Sequence, residues 1–235
     1  MTGERRILLH VGTHKTGTSS FQRSLKRNHA ALLAKGVRAF LDRRYENGAY
    51  SEFRIGQHMT FAHLVLRDDL LTSPRYLKTT PDLNPRQRER RLMAMAERIS
   101  AFEEPDVLLS TEQLCFARTE EETARLRAFV ERTGRRIETV CAFRPVAEWR
   151  ESWADEIAKR NDGRQDRFAQ LPDHQRIDGE WYFDPDAVRA FWRDFNLTEI
   201  AFDKTGNMVE RIYAAFGIDP EGLDTDLRIN ARAEA

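Results

Sequence analysis

The sequence contains little that would staple, anchor or charge the protein. Only two cysteines, Cys115 and Cys141, occur in 235 residues, and both sit among apolar neighbours beside expected strands. A disulfide framework is therefore excluded, and reduced core thiols are expected. No stretch reaches the roughly 20 apolar residues of a transmembrane helix, and the N-terminal apolar run is too short and wrongly flanked for a signal peptide, so a cytoplasmic protein is expected. Net charge is zero, 38 Lys and Arg against 38 Asp and Glu, which gives no electrostatic footprint for a nucleic-acid or membrane partner. Internal repeats and low-complexity segments are absent. Lysine is scarce as well: Lys15, Lys26, Lys35, Lys78, Lys159 and Lys204 are the only ones, against an arginine background. A lysine in a functional loop therefore says more than any single arginine.

A hydrophobic content of 40%, with 10% aromatics, supplies a packed core, and the length suits one α/β domain over 1–235. Polar excursions are expected near 42–85 and 161–183. The chain is organised around residues 6–20, RILLHVGTHKTGTSS. Ile7, Leu8, Leu9 and Val11 form the short apolar run of a buried parallel strand, and Gly12 and Gly17 bracket a polar loop. Thr18, Ser19 and Ser20 then open a helix over 18–33, whose first N–H groups lack intrahelical partners and suit an anion. A Walker A loop puts Lys directly after its second Gly and follows it with a Mg²⁺-ligating hydroxyl. Here Thr18 fills that Lys position, and Lys15 lies inside the loop instead. A cation placed there suits a donor whose leaving group is a 5′-phosphate.

A strand over 107–109 stops at Ser110, Thr111 and Glu112, so Glu112 stands where open α/β sheets gather their chemistry. A helix over 119–133 starts with a Thr119/Glu122 capping box. The second informative stretch is RIETVCAFRPVAEWRESWADEIAKR. It reads as a strand over 137–143, Arg144 at its exit, Pro145 opening a helix and Ser152 two turns inside it. Arg144 offers a fork of donors and Ser152 a hydroxyl donor; alone, the first also reads as a surface ion pair and the second as a tolerated helix residue. His58 and His63 fall on an expected helix over 57–71, but their spacing of five is not that of a helical zinc pair, so no metal is expected. The aromatic cluster Trp181, Tyr182, Phe183, Phe191 and Trp192 reads as core.

The HKTGTSS loop, the STEQL strand end and the Arg144/Ser152 pair, taken in order, resemble the sulfotransferases that use 3′-phosphoadenosine 5′-phosphosulfate (PAPS), most of all the compact bacterial members. The resemblance implies a three-layer, P-loop-type α/β domain with a mostly parallel central sheet flanked by helices. It implies that His14, Lys15, Thr16, Gly17, Thr18, Ser19 and Ser20 hold the 5′-phosphosulfate, and that Arg144 and Ser152 hold the 3′-phosphate. Lys15 is then catalytic at the leaving oxygen, with Glu112 as general base and His58 as the second candidate. The donor is PAPS, the product is 3′-phosphoadenosine 5′-phosphate (PAP), and no metal is called for. The acceptor would be a small molecule or carbohydrate bearing a hydroxyl or amine. The Gly-rich C-terminal loop of cytosolic animal enzymes is missing, so any nucleotide contact from Arg228 or Asn230 is a guess. Two alternatives stay open: a P-loop nucleotide or small-molecule kinase, and a non-catalytic nucleotide-binding relative.

Overall fold

The structure is a computed structural model that describes residues 4–42, 58–159 and 169–227 in full and residues 45–46, 49–50 and 54–55 by backbone. Residues 43–57 of the first expected excursion, residues 161–168 of the second, and Arg228 and Asn230 lie outside the described side chains.

Five strands form one all-parallel sheet: β1 (Arg6–His10), β2 (Val37–Ala39), β7 (Asp106–Ser110), β8 (Arg136–Phe143) and β9 (Leu197–Ala201), in the order β2-β7-β1-β8-β9. The two-residue strands β3 (Leu41–Asp42), β4 (Tyr45–Glu46), β5 (Ala49–Tyr50) and β6 (Arg54–Ile55) pair separately, as β3 with β6 and β4 with β5. β1 is central, and His10 pairs with Ser110 on one side and Val140 on the other. Apolar residues run continuously along the inner strands β1 and β7 because both their faces are covered, and the pleat sorts the buried residues of the sheet into two cores. Ile7, Leu9, Val107, Leu109, Cys141 and Phe143 face one layer, and Leu8, Leu108, Val140 and Ala142 the other.

The first layer contains α3 (Met59–Val65), α5 (Pro85–Ser100), α6 (Glu120–Thr133), α7 (Val146–Lys159) and α8 (Pro185–Arg193), with α4 (Ser73–Tyr76) nearby. The second holds α1 (Thr18–Arg27), α2 (His29–Ala34) and α9 (Met208–Ala215). Phe21 and Leu25 of α1 are fully buried against Met208, Val209, Ile212 and Tyr213 of α9. Each such burial contributes about 1.5–3 kcal/mol relative to exposure. The architecture is the three-layer, parallel α/β arrangement expected from the sequence.

Two expected helices differ in extent. The one expected over 18–33 breaks at Asn28, whose side chain bonds Ser24 Oγ at 2.8 Å and the Asp224 carbonyl at 2.9 Å instead of pointing to solvent. The one expected over 57–71 is helical only over Met59–Val65. Beyond it, Arg125 takes the Val65 and Leu66 carbonyls at 3.0 and 3.1 Å, and Arg75 takes that of Leu70 at 2.8 Å. Among the described residues no helix is long and apolar enough to cross a membrane.

β1 leaves the sheet toward β2 and β8 leaves it toward β9, so the order reverses between these neighbours. In open α/β sheets the ligand crevice forms at the carboxyl ends of strands at such a point. The loop after β1 and the Arg144 exit of β8 both lie there.

Candidate functional site

The loop after β1 is fastened to β8 before it turns. Val11 N–H donates to the Val140 carbonyl at 2.9 Å, and the Thr13 hydroxyl to the Ala142 carbonyl at 3.0 Å. The Thr16 hydroxyl closes the turn on the Thr13 carbonyl at 2.5 Å. Lys15 is left-handed at φ +69°, rare for a residue with a Cβ, and Gly17 follows at φ +87°. Both glycines are required here. A Cβ on Gly12 would stand 3.0 Å from His10 Nε2 and from Thr16 Oγ1, and one on Gly17 would meet Met208 Cβ at 3.3 Å. Gly17 is the N-cap of α1 and brings no side chain to its first N–H groups. Thr18 is buried and its Oγ1 has no hydrogen-bond partner among the described residues. A loop narrowed by two glycines, an uncapped helix start and a buried hydroxyl form a cradle that fits a phosphate or phosphosulfate oxygen.

The cations are held by the neighbouring helix. Lys15 Nζ lies 3.2 Å from Glu156 Oε2, and Arg144 Nε lies 3.6 Å from Glu148 Oε2. Lys204 Nζ reaches the same Glu148 oxygen at 2.7 Å. The Arg144 guanidinium also donates to the Lys15 carbonyl at 3.3 Å and stacks on Phe202, 4.4 Å from the ring centroid. The two sequence stretches picked out for phosphate binding therefore touch. Ser152 lies four residues from both Glu148 and Glu156, one helical turn each way, so all three share a face of α7. It is half-buried, while Ser19 of the loop is exposed and Ser20 buried.

Glu112 opens a 3₁₀ turn (Glu112–Phe116) immediately after β7 and is partly exposed. Its Oε1 lies 4.0 Å from His14 Nε2. His14 is buried, packed on Phe116 and Trp153 with ring centroids 5.0 and 4.4 Å away, and its Nδ1 is 2.5 Å from the Tyr182 hydroxyl. Burial pushes the Tyr182 phenol and the Cys115 thiol well above their ordinary ranges, so both keep their protons.

His58 is placed differently from the expectation of a base. It is buried at the left-handed N-cap of α3. Its Nδ1 receives the Ser110 N–H at 2.9 Å, and its Nε2 lies 2.9 Å from the Phe40 carbonyl. Both nitrogens are taken by backbone, which ties the end of β7 to the segment after β2 and leaves neither for an acceptor. His63 is likewise engaged, with Met59 O at 2.8 Å and Thr72 Oγ1 at 2.7 Å, and burial with Arg75 alongside pushes it down to about 3. Among the described residues no three His, Cys, Asp or Glu side chains gather where a metal ion would sit.

Glu148, Glu156, Lys204 and Tyr182 were not singled out from the sequence as site residues. The i, i+4, i+8 spacing of Glu148, Ser152 and Glu156 was the available signal for two of them. Both cysteines are free and buried. The two excursions meet around a cavity of about 440 Å³ bordered by His63, Arg75, Leu83 and Leu171, among others; neither the loop nor Glu112 nor Arg144 borders it. Compared with protein-family models, curated proteins and solved structures, the chain finds no match.

Proposed function

We propose that this protein is a sulfotransferase that moves a sulfuryl group from PAPS to a hydroxyl or amine acceptor by in-line transfer. The observation that carries the reading is the contact between Arg144 and the Lys15 backbone, which joins a lysine-bearing phosphate loop to a second cation at the topological switch point. A donor with phosphates on both its 5′ and 3′ sides needs two such sites side by side. A kinase would need its lysine after Gly17, where this chain has Thr18.

In this reading the α1 N–H groups, Thr16, Thr18 and Ser20 hold the 5′-phosphosulfate, and Arg144 with Ser152 holds the 3′-phosphate. Glu112 accepts the acceptor proton as the acceptor oxygen or nitrogen bonds to sulfur. The bond between sulfur and the bridging oxygen breaks, and Lys15 stabilises the charge that develops on the 5′-phosphate of PAP. Glu156 gives up Lys15 as the donor arrives. Glu112 is preferred to His58 because its carboxylate is partly exposed, whereas both His58 nitrogens are bonded to backbone.

The 3′-phosphate assignment is tested by Arg144→Ala in equilibrium binding. PAP affinity should fall by about 10- to 100-fold, the range for losing a charge-assisted phosphate contact, with AMP affinity changed far less. Equal losses for both nucleotides would remove Arg144 from the 3′ site.

A further inference from the structure

We propose that Tyr182 and Trp149 are positioning residues that fix His14 in its Nε2–H tautomer and aim that N–H at the Glu112 carboxylate. The role given to Glu112 rests on the sulfotransferase reading above; the tautomer does not.

The tautomer follows from the protons gathered around the Tyr182 oxygen and His14 Nδ1. The Tyr182 hydroxyl is fully buried and has three polar neighbours: Trp149 Nε1 at 3.2 Å, Cys115 Sγ at 3.9 Å and His14 Nδ1 at 2.5 Å. An indole N–H can only donate, so Trp149 occupies one lone pair of the phenol oxygen. The Cys115 thiol keeps its proton in this apolar setting and lies 3.4 Å from His14 Nδ1 and 3.9 Å from the Tyr182 oxygen, a weak donor within reach of either. With the indole donating to the phenol oxygen, the strongest acceptor within reach of the phenol proton is the His14 Nδ1 lone pair, toward which the protonated thiol can also turn. The opposite tautomer would send an Nδ1–H into the same oxygen and leave the Tyr182 proton facing only the thiol sulfur, an arrangement that a fully buried hydroxyl disfavours.

Once Nδ1 is the acceptor, the ring proton sits on Nε2, 4.0 Å from Glu112 Oε1. Phe116 and Trp153 hold the imidazole plane, so the N–H direction is set by packing. The chain Trp149, Tyr182, His14, Glu112 thus runs from the core to the partly exposed carboxylate. It orients Glu112 with Oε1 toward His14. Such contacts are often long without substrate and tighten in the complex.

Long-range ¹H–¹⁵N NMR on the labelled wild-type protein at neutral pH reads the tautomer directly. The expected spectrum shows His14 Nδ1 as an acceptor nitrogen and Nε2 as protonated. A protonated Nδ1, or an exchanging mixture, overturns the proposal without any variant. Tyr182→Phe should then give a mixture of tautomers and lower turnover by about 10-fold, with PAP affinity unchanged. A Tyr182→Phe protein that keeps a single Nε2–H tautomer and wild-type turnover overturns it too; should this variant fail to fold, the wild-type spectrum decides. A locked tautomer in a protein that transfers sulfuryl to no acceptor would sink the reading of Glu112 and leave the lock in place. A mixed tautomer in an active transferase would do the reverse.

Discussion

Lys15 is the one lysine of the glycine-bounded loop, and its ammonium is held by Glu156 at 3.2 Å. The sequence shows a lysine inside a glycine-bounded loop with threonine where a kinase has its own. It does not show that this lysine is left-handed at φ +69° or that it is paired with Glu156, 141 residues away. Ion pairs of this kind form across packed elements, and no local spacing announces the partner. Because Lys15 and Glu156 are both partly exposed, their pair is weak, within the ~0.2–1 kcal/mol of solvent-screened pairs. On the proposed function, Glu156→Gln removes a carboxylate that competes with the donor for Lys15. PAP should then bind about two- to fivefold more tightly by calorimetry, and a weaker complex would mean that Glu156 helps to hold the nucleotide. Tyr182 shows the same limit from the other side: its place in an aromatic cluster reads correctly as core, yet its hydroxyl reaches the site loop through a contact that only the fold creates.

At the scale of elements, legibility follows how local the cause is. The capping box of α6 forms as read, with the Thr119 hydroxyl accepting from Glu122 N–H and the Glu122 carboxylate accepting from Thr119 N–H at 2.8 Å. The buried side of α5, Leu92, Met95, Ala96 and Ile99, follows from helical period alone. The break at Asn28 and the early end of α3 do not, because their partners, Asp224, Arg75 and Arg125, lie elsewhere in the chain. The turn from β1 into α1 is the element most sensitive to change. Gly17→Ala puts a Cβ at φ +87° and within 3.3 Å of Met208 on α9. Loss of about 1–2 kcal/mol of stability is expected in urea unfolding, the usual penalty for a left-handed alanine, together with weakened PAP binding. A variant of undiminished stability would show that the turn relaxes without strain.

At the scale of the whole molecule, the parallel sheet was readable from its inner strands β1, β7 and β8, whose buried stretches become short apolar runs, whereas the edge strand β9 is largely exposed. The strand order, which brings Arg144 beside the Lys15 loop, required the structure. The fold also carries a pH dependence. Burial pushes His10 and His63 down to about 3 from an ordinary value of 6.5. Folded, both stay neutral, whereas the unfolded chain takes up their protons near pH 6.5, so stability is retained above that value and falls as pH drops toward 3. Each histidine removes roughly 2 kcal/mol by pH 5. Urea midpoints at pH 7 and pH 5 check this, and an unchanged midpoint would contradict burial of the two rings as neutral species.

On the proposed function the loop serves a 3′-phosphorylated sulfuryl donor, with Lys15 and Arg144 taking the work that a Walker lysine and Mg²⁺ perform in kinases. Calorimetry of the wild-type protein with PAP alone and with ATP plus Mg²⁺ tests it most directly. A saturable, metal-independent PAP complex is expected, with at least about 10-fold weaker binding of ATP with Mg²⁺, one lost phosphate contact being worth about 1.4 kcal/mol or more. Tight, Mg²⁺-dependent ATP binding without PAP binding would contradict it.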